Sequence, residues 1–174
     1  MKKIYVVLFI LVACSSLGYS QAQKGKTHLG IGLGLNYGGI GGSITHNLSD
    51  NFGMFIGLGH QLAGFGYNFG VMYYVPSEKR AQAYFSAMYG TNAALKVEGF
   101  TELDKVYLGP TVGFGVKLFG KKNEENYWNF GLLLPFRSSE YDNDVDIVKS
   151  LPGIELQEPW PVLFTIGYNI NIGG

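Results

Sequence analysis

The sequence predicts an all-β protein, an eight-stranded antiparallel up-and-down transmembrane β-barrel, and three observations carry that expectation. Glycine accounts for 26 of 174 residues and aromatic side chains for 15%, a pairing foreign to collagen and to low-complexity disorder. Apolar residues alternate with small or polar ones in stretch after stretch, which is the period of a β-strand. Near the middle of these stretches there are almost no charged residues on either face. A soluble sheet covers its outer face with polar side chains. Here one row is Leu, Ile, Phe and Val and the other is Gly, Asn, Thr, Ser and Tyr, so the apolar rows are expected to meet lipid and the small polar rows a narrow lumen.

The first strand places Leu29, Ile31, Leu33, Leu35 and Tyr37 on one face, with Gly30, Gly32, Gly34 and Asn36 on the other. A weaker segment follows at residues 40–48. The third strand sets Phe52, Met54, Ile56 and Leu58 against Gly53, Gly57 and Gly59, and the fourth sets Phe65, Tyr67, Phe69, Val71 and Tyr73 against Gly66, Asn68 and Gly70. Residues 82–89 supply the fifth. In the sixth, Val106, Leu108, Val112, Phe114, Val116 and Leu118 face away from Tyr107, Gly109, Thr111, Gly113 and Gly115. The seventh spans 127–136, and the eighth opposes Val162, Phe164, Ile166, Tyr168 and Ile170 to Thr165, Gly167 and Asn169. Within the barrel only residues 144–151 could form even a short helix.

Connections after even-numbered strands are compact: 49–51, 76–79 and 120–126. The other rim carries the short links 38–39 and 61–64 and two long loops, 90–105 and 137–160. Short turns on one side and longer loops on the other fit an outer-membrane barrel with its turns in the periplasm. Aromatic girdles are expected at both interfaces, from Phe52, Tyr73, Phe119, Trp128 and Tyr168 on the turn side and from Tyr37, Phe65, Tyr67, Phe136 and Trp160 on the loop side.

Residues 1–22 read as a secretory signal peptide. Lys2-Lys3 precede the apolar run 4–13, and Ser20-Gln21-Ala22 puts small residues where signal peptidase reads. The apolar core is too short to span a membrane as a helix. The barrel domain is then 23–174. In Leu11-Val12-Ala13-Cys14 there is a rival, lipobox reading with acylation of Cys14, disfavoured because a barrel held by its own wall gains little from one lipid anchor.

The formal net charge is zero, with 13 basic and 13 acidic residues, so no basic field exists to hold a nucleic acid. One Cys and three His exclude an internal disulfide framework and a Cys-based zinc site. No cofactor is expected.

Taken with the turn Asn47-Leu48-Ser49-Asp50-Asn51-Phe52-Gly53, the Gly-alternating strands and the closing run Val162-Leu163-Phe164-Thr165-Ile166-Gly167-Tyr168-Asn169-Ile170, residues 27–172 resemble the small eight-stranded outer-membrane barrels of the OmpA/OmpX type. The resemblance implies a Gram-negative cell-envelope location, outer-membrane lipid and lipopolysaccharide as surroundings, and the barrel-assembly machinery as a partner in biogenesis. The chain departs from the usual assembly signal by ending Ile172-Gly173-Gly174, with Tyr168 as the substitute aromatic. The family hosts adhesins, lipid-modifying enzymes and structural proteins, so fold does not fix function.

Candidate chemistry is sparse. The inward rows place glycine beside Phe55, Tyr74, Tyr84, Tyr107 and Tyr127, a small and large alternation suited to a closed, packed lumen. The acidic loop 137–160 contains Asp142, Asp144 and Asp146, the opening spacing of a calcium loop. Ile147 replaces the required Gly, and Gly153 stands where the closing Glu belongs, so these three are weak metal candidates only. His60 and His46 belong near opposite rims and His28 near the start of the first strand, without the grouped Ser and acid that lipid A-modifying barrel enzymes use. No enzymatic activity is expected. The leading expectation is a closed outer-membrane barrel with a structural or surface-interaction role, meeting an extracellular or envelope protein through residues 137–160. The alternatives are a periplasmic lipocalin-like binder of an apolar ligand and a lipid A-modifying enzyme.

Overall fold

The computed structural model describes residues 24–61, 63–95, 105–150 and 160–173. The signal peptide and Cys14 lie outside the described residues. Eight strands follow in chain order: β1 (Thr27–Gly34), β2 (Gly39–Asn47), β3 (Phe52–Gln61), β4 (Gly64–Tyr74), β5 (Ala81–Leu95), β6 (Lys105–Phe119), β7 (Tyr127–Pro135) and β8 (Leu163–Gly173). Each pairs antiparallel with its sequence neighbours, and β1 closes onto β8 with Leu29 opposite Ile170 and Leu33 opposite Ile166. The result is a closed up-and-down barrel, β1 through β8, as the alternating pattern and the family resemblance lead one to expect.

Period two sorts the side chains. Ile31, Ile40, Ile56, Phe65, Phe114, Leu132 and Phe164 stand exposed on the outer wall. Ser43, Thr45, Asn47, Asn68, Ser86, Thr111, Asn129, Thr165 and Asn169 are buried inside. Phe55, Tyr74, Tyr84 and Tyr127 are buried among them at the inward positions read from the sequence. Leu133 and Met72 join Phe55, Tyr74, Tyr84 and Met88 in one apolar cluster. Such filling is what a barrel of eight strands permits.

The structure corrects the sequence reading in four places. β1 stops at Gly34, and residues Leu35–Tyr37 form a 3-10 turn folded into the lumen. Leu35 and Tyr37 are therefore 6% and 1% exposed instead of standing on the outer wall, and Tyr37 is not a girdle residue. Gly34 (φ 111) and Gly38 (φ 69) make the reversal at each end, a region that L side chains avoid. Phe119, also assigned to a girdle, follows the parity of Tyr107 and Lys117 and is buried within, 5.4 Å from the Tyr127 ring. Residues 90–105 are strand at both ends: β5 and β6 remain paired out to Leu95 opposite Lys105, across a bulge between Thr91 and Ala93. Residues 137–160 hold a helix, α1 (Ser139–Ser150), longer than the 144–151 segment allowed for.

The inward turn fits because the wall facing it has no side chains. A Cβ at Gly57 would strike the Asn36 carbonyl, at Gly41 or Gly59 the Tyr37 carbonyl, and at Gly32 or Gly167 the Tyr37 ring. Gly59→Val should accordingly lower the unfolding free energy by about 1–3 kcal/mol in a urea titration followed by tryptophan fluorescence. By contrast, a Cβ at outward-facing Gly42 meets only the Gly30 carbonyl at 3.3 Å, so Gly42→Ala should stay within about 0.5 kcal/mol. Equal effects at the two positions would show that the turn does not rest on that wall.

Candidate functional site

Two regions concentrate the polar chemistry, and the first is the lumen. The Tyr37 hydroxyl accepts hydrogen bonds from the side-chain amides of Asn129 (3.3 Å) on β7 and Asn169 (3.1 Å) on β8. The turn is thus tied across the barrel to strands far from it in sequence. Lys117 on β6, 1% exposed, sits with Nζ 3.8 Å from the Tyr74 ring centroid and 4.3 Å from that of Tyr127. Ring faces attract a cation, by about 2 kcal/mol when both are desolvated, and here they take the place of a carboxylate. None of the acidic residues lies in any of the eight strands. The neighbours of Lys117 across the sheet are Gln82 and Asn129, whose amide oxygens make no hydrogen bond to protein. The Asn36 amide and the hydroxyls of Ser86 and Thr111 are also buried without a protein partner. Groups of this kind are ordinarily met by solvent.

The second region is a platform on the loop side. β5 and β6 are the longest strands, and α1 lies against their projecting end. Tyr141, Val145 and Val148, spaced i, i+4 and i+7 on one helical face, pack on Ala93, Leu95 and Tyr107. The Ser138 hydroxyl accepts from the Tyr141 amide at 3.3 Å, capping the helix start. Glu140 and Asp142 in the first turn and Lys149 in the last suit the helix dipole. Lys105 Nζ reaches Glu140 at 2.6 Å and Asp144 at 2.9 Å, and the Tyr107 hydroxyl donates to Asp144 at 2.7 Å. These hydrogen bonds, that of Lys105 foremost, hold the Asp144 carboxyl below the usual Asp value. At the base of the projection Thr91 Oγ1 accepts from Gln61 Nε2 (2.9 Å) and from the Tyr67 amide (3.1 Å). The Asn68 side chain donates to the Thr91 carbonyl at 3.0 Å, and Asn92 donates to the Phe136 carbonyl at 2.9 Å.

The structure separates the three weak metal candidates. On a helix Asp142 and Asp146 share one exposed face, whereas Asp144 points to Lys105 and Tyr107. Among the described residues no three His, Cys, Asp or Glu gather in a metal-holding group. The histidines also lie apart. His28 is buried at the turn-side end, its ring 5.0 Å from that of Tyr127. His46 lies near Thr27 on that same rim, and His60 pairs with Phe65 and Ile40 toward the other. Sequence reading missed Lys117 and the turn Leu35–Tyr37. Parity in β6 could have found the first, since Lys117 continues the row Thr111, Gly113, Gly115. Two glycines bracketing Leu35-Asn36-Tyr37 could have signalled the second.

The fold and its interior define the class of molecule: an eight-stranded up-and-down barrel with a filled lumen and one elaborated rim. No known family model matches the chain, and no curated protein does. Among solved structures it is similar to the N-terminal beta-barrel domain of Pseudomonas aeruginosa OprF, at 17% identity and a TM-score of 0.49, over 86% of this chain and 100% of that one.

A carboxyl whose value is depressed in the docked state stabilises docking above the ordinary Asp value and loses that contribution as pH falls through its own. Hydrogen exchange over residues 139–150 should therefore speed up relative to the barrel strands when pH drops below about 4. In Lys105→Gln the difference between neutral and acid pH should shrink. Unchanged acid sensitivity in that variant would remove the Lys105 pair from the docking of α1.

Proposed function

We propose that the protein is an integral outer-membrane barrel, closed in its resting state, that acts as a wall component and carries its interaction surface on the loop-side platform. The observation that carries the reading is the outer wall. Every strand presents large apolar side chains outward, with Ile31 at 70% and Ile40 at 69% exposed, while the inward rows are mostly Asn, Thr, Ser, Tyr and Gly around a small apolar cluster. A lipocalin-like binder needs the reverse, apolar rows inward and polar rows outward. Water would penalise such a belt; hydrocarbon favours it, and strands of this length cross a bilayer when tilted. Aromatic pairs on the outer wall support interfacial placement: Trp128 with Tyr168 at 5.1 Å and Phe52 with Tyr73 at 6.3 Å toward the turns, and exposed Phe65, Phe136 and Trp160 toward the loops.

In this reading the turns face the periplasm, and the β5–β6 projection with α1 faces outward. Asp142, Asp146 and Ile147 are exposed on α1, a surface suited to a protein partner at the cell exterior or elsewhere in the envelope. The scattered histidines favour no catalytic role. The signal peptide at 1–22 and assembly by the barrel-assembly machinery belong to the same proposal.

Membrane fractionation tests the location. The mature chain should float with vesicles, resist extraction without detergent and shift in gel mobility on boiling, whereas recovery in the soluble fraction would end the membrane reading. Replacing residues 140–158 with a Gly-Ser link should keep the heat-dependent mobility shift and abolish the partner interaction or envelope phenotype of the intact gene. Full restoration of that phenotype by the truncated chain would move function from the platform to the barrel wall.

A further inference from the structure

We propose that the turn Leu35–Tyr37 is a plug, and that the lumen it closes is a path for small anions whose selectivity rests on Lys117. The proposal rests on the membrane reading and goes beyond a purely structural wall.

The plug is built as an insert. Leu35, Asn36 and Tyr37 are all buried, yet the wall beneath them is backbone: Gly32 on β1, Gly41 on β2, Gly57 and Gly59 on β3 and Gly167 on β8 come so close to the turn that none could carry a Cβ. Leu35 packs into one apolar cluster with the wall side chains Phe55, Met72, Tyr74, Tyr84, Met88 and Leu133. The wall thus fills part of the interior, and the rest is occupied by three residues of a connection that could be omitted. Gly34 pairs directly with Gly39, so two residues would suffice to join β1 to β2. Withdrawal of the turn leaves a glycine-lined channel alongside the packed part.

That channel would be hydrated and positive. On the wall that would line it, the Gln82 and Asn129 amide oxygens are buried without protein partners, and such polar groups solvate a path readily. Of the charged side chains in the strands, Lys105 lies at the far tip of β6 and Lys117 inside; no Asp or Glu accompanies them. Its neighbours are the rings of Tyr74 and Tyr127, which stabilise the ammonium without neutralising it. Once water enters the path the Lys117 amine regains hydration, and an ammonium with no acidic neighbour in a narrow lumen favours anions and repels cations. Asn129 both holds the Tyr37 hydroxyl and stands beside Lys117 in the sheet, so the plug's anchor and the selectivity residue share one level of the barrel.

The test is planar-bilayer recording across a potassium chloride gradient, on full-length protein whose mobility shift and vesicle flotation have been verified. The parent barrel should be silent. Replacing Leu35-Asn36-Tyr37-Gly38 with Asn-Gly should yield steady channels with a reversal potential displaced toward that of chloride, and adding Lys117→Gln should keep the conductance and abolish the displacement. A second variant, Asn36→Gly with Tyr37→Gly, keeps the backbone of the turn while removing its ring and amide, and should open intermittently. Silence of a folded, inserted variant in both designs overturns the plug. Channels whose reversal potential is the same with and without Lys117 overturn the selectivity. Loss of flotation in the parent itself would instead strike the membrane reading.

Discussion

The phenol of Tyr37, carried into the lumen on a three-residue turn and held by the amides of Asn129 and Asn169, is the contact on which the interior depends. Closing eight strands creates a lumen that must be filled, because a dry void forfeits dispersion contacts along its lining. The wall fills part of it with Phe55, Met72, Tyr74, Tyr84, Met88 and Leu133. On β1 to β3 and β8 the wall is bare at Gly32, Gly41, Gly57, Gly59 and Gly167, and the chain supplies the missing volume from a connection. The abundance of glycine thus has a packing cause. Those strands are not weak; they have given their inward volume to Leu35 and Tyr37.

Strand number, order and facing were legible because closure is strict. A slip of one residue would turn every Leu and Ile inward and every Asn and Gly outward, so Phe55, Tyr74, Tyr84 and Tyr127 could be placed inside from parity alone. Parity failed at Leu35 and Tyr37 because the alternation Leu33, Leu35, Tyr37 reads on unbroken through a reversal that only Gly34 and Gly38 betray. The helix was harder to see. Tyr141, Val145 and Val148 are too few to make a strong period among Asp142, Asn143, Asp144 and Asp146, and their partners Ala93, Leu95 and Tyr107 come from a hairpin that looked like loop. Long-range packing, not local propensity, decides that segment.

The distribution of charge follows from the same geometry. Among the described residues the acidic side chains sit in connections and in α1, where Glu125 meets Lys26 at 3.3 Å and Asp144 meets Lys105. Both pairs are partly exposed and contribute modestly to stability; their role is to fix where a rim segment sits. Lys117 differs in having no such partner. Its amine meets the faces of two tyrosine rings, which favour the charged form without adding negative charge.

The two rims are unequal because β5 and β6 outrun their neighbours. A long hairpin leaving a barrel would ordinarily splay, since beyond the rim it loses lateral pairing. Three features prevent that. Thr91, at the bulge where pairing with β4 ends, gathers hydrogen bonds from Gln61, Tyr67 and Asn68. Asn92 ties the same point to the end of β7 through the Phe136 carbonyl. Farther out, α1 buries the apolar face of the hairpin, with the Tyr141 and Tyr107 rings edge to face at 5.1 Å. The outward elements are therefore continuous with the rigid wall, and a surface fixed in this way loses less entropy on binding than a loop that must first be ordered. That rigidity is the physical reason to seek recognition on the hairpin and helix instead of on the short turns of the opposite rim.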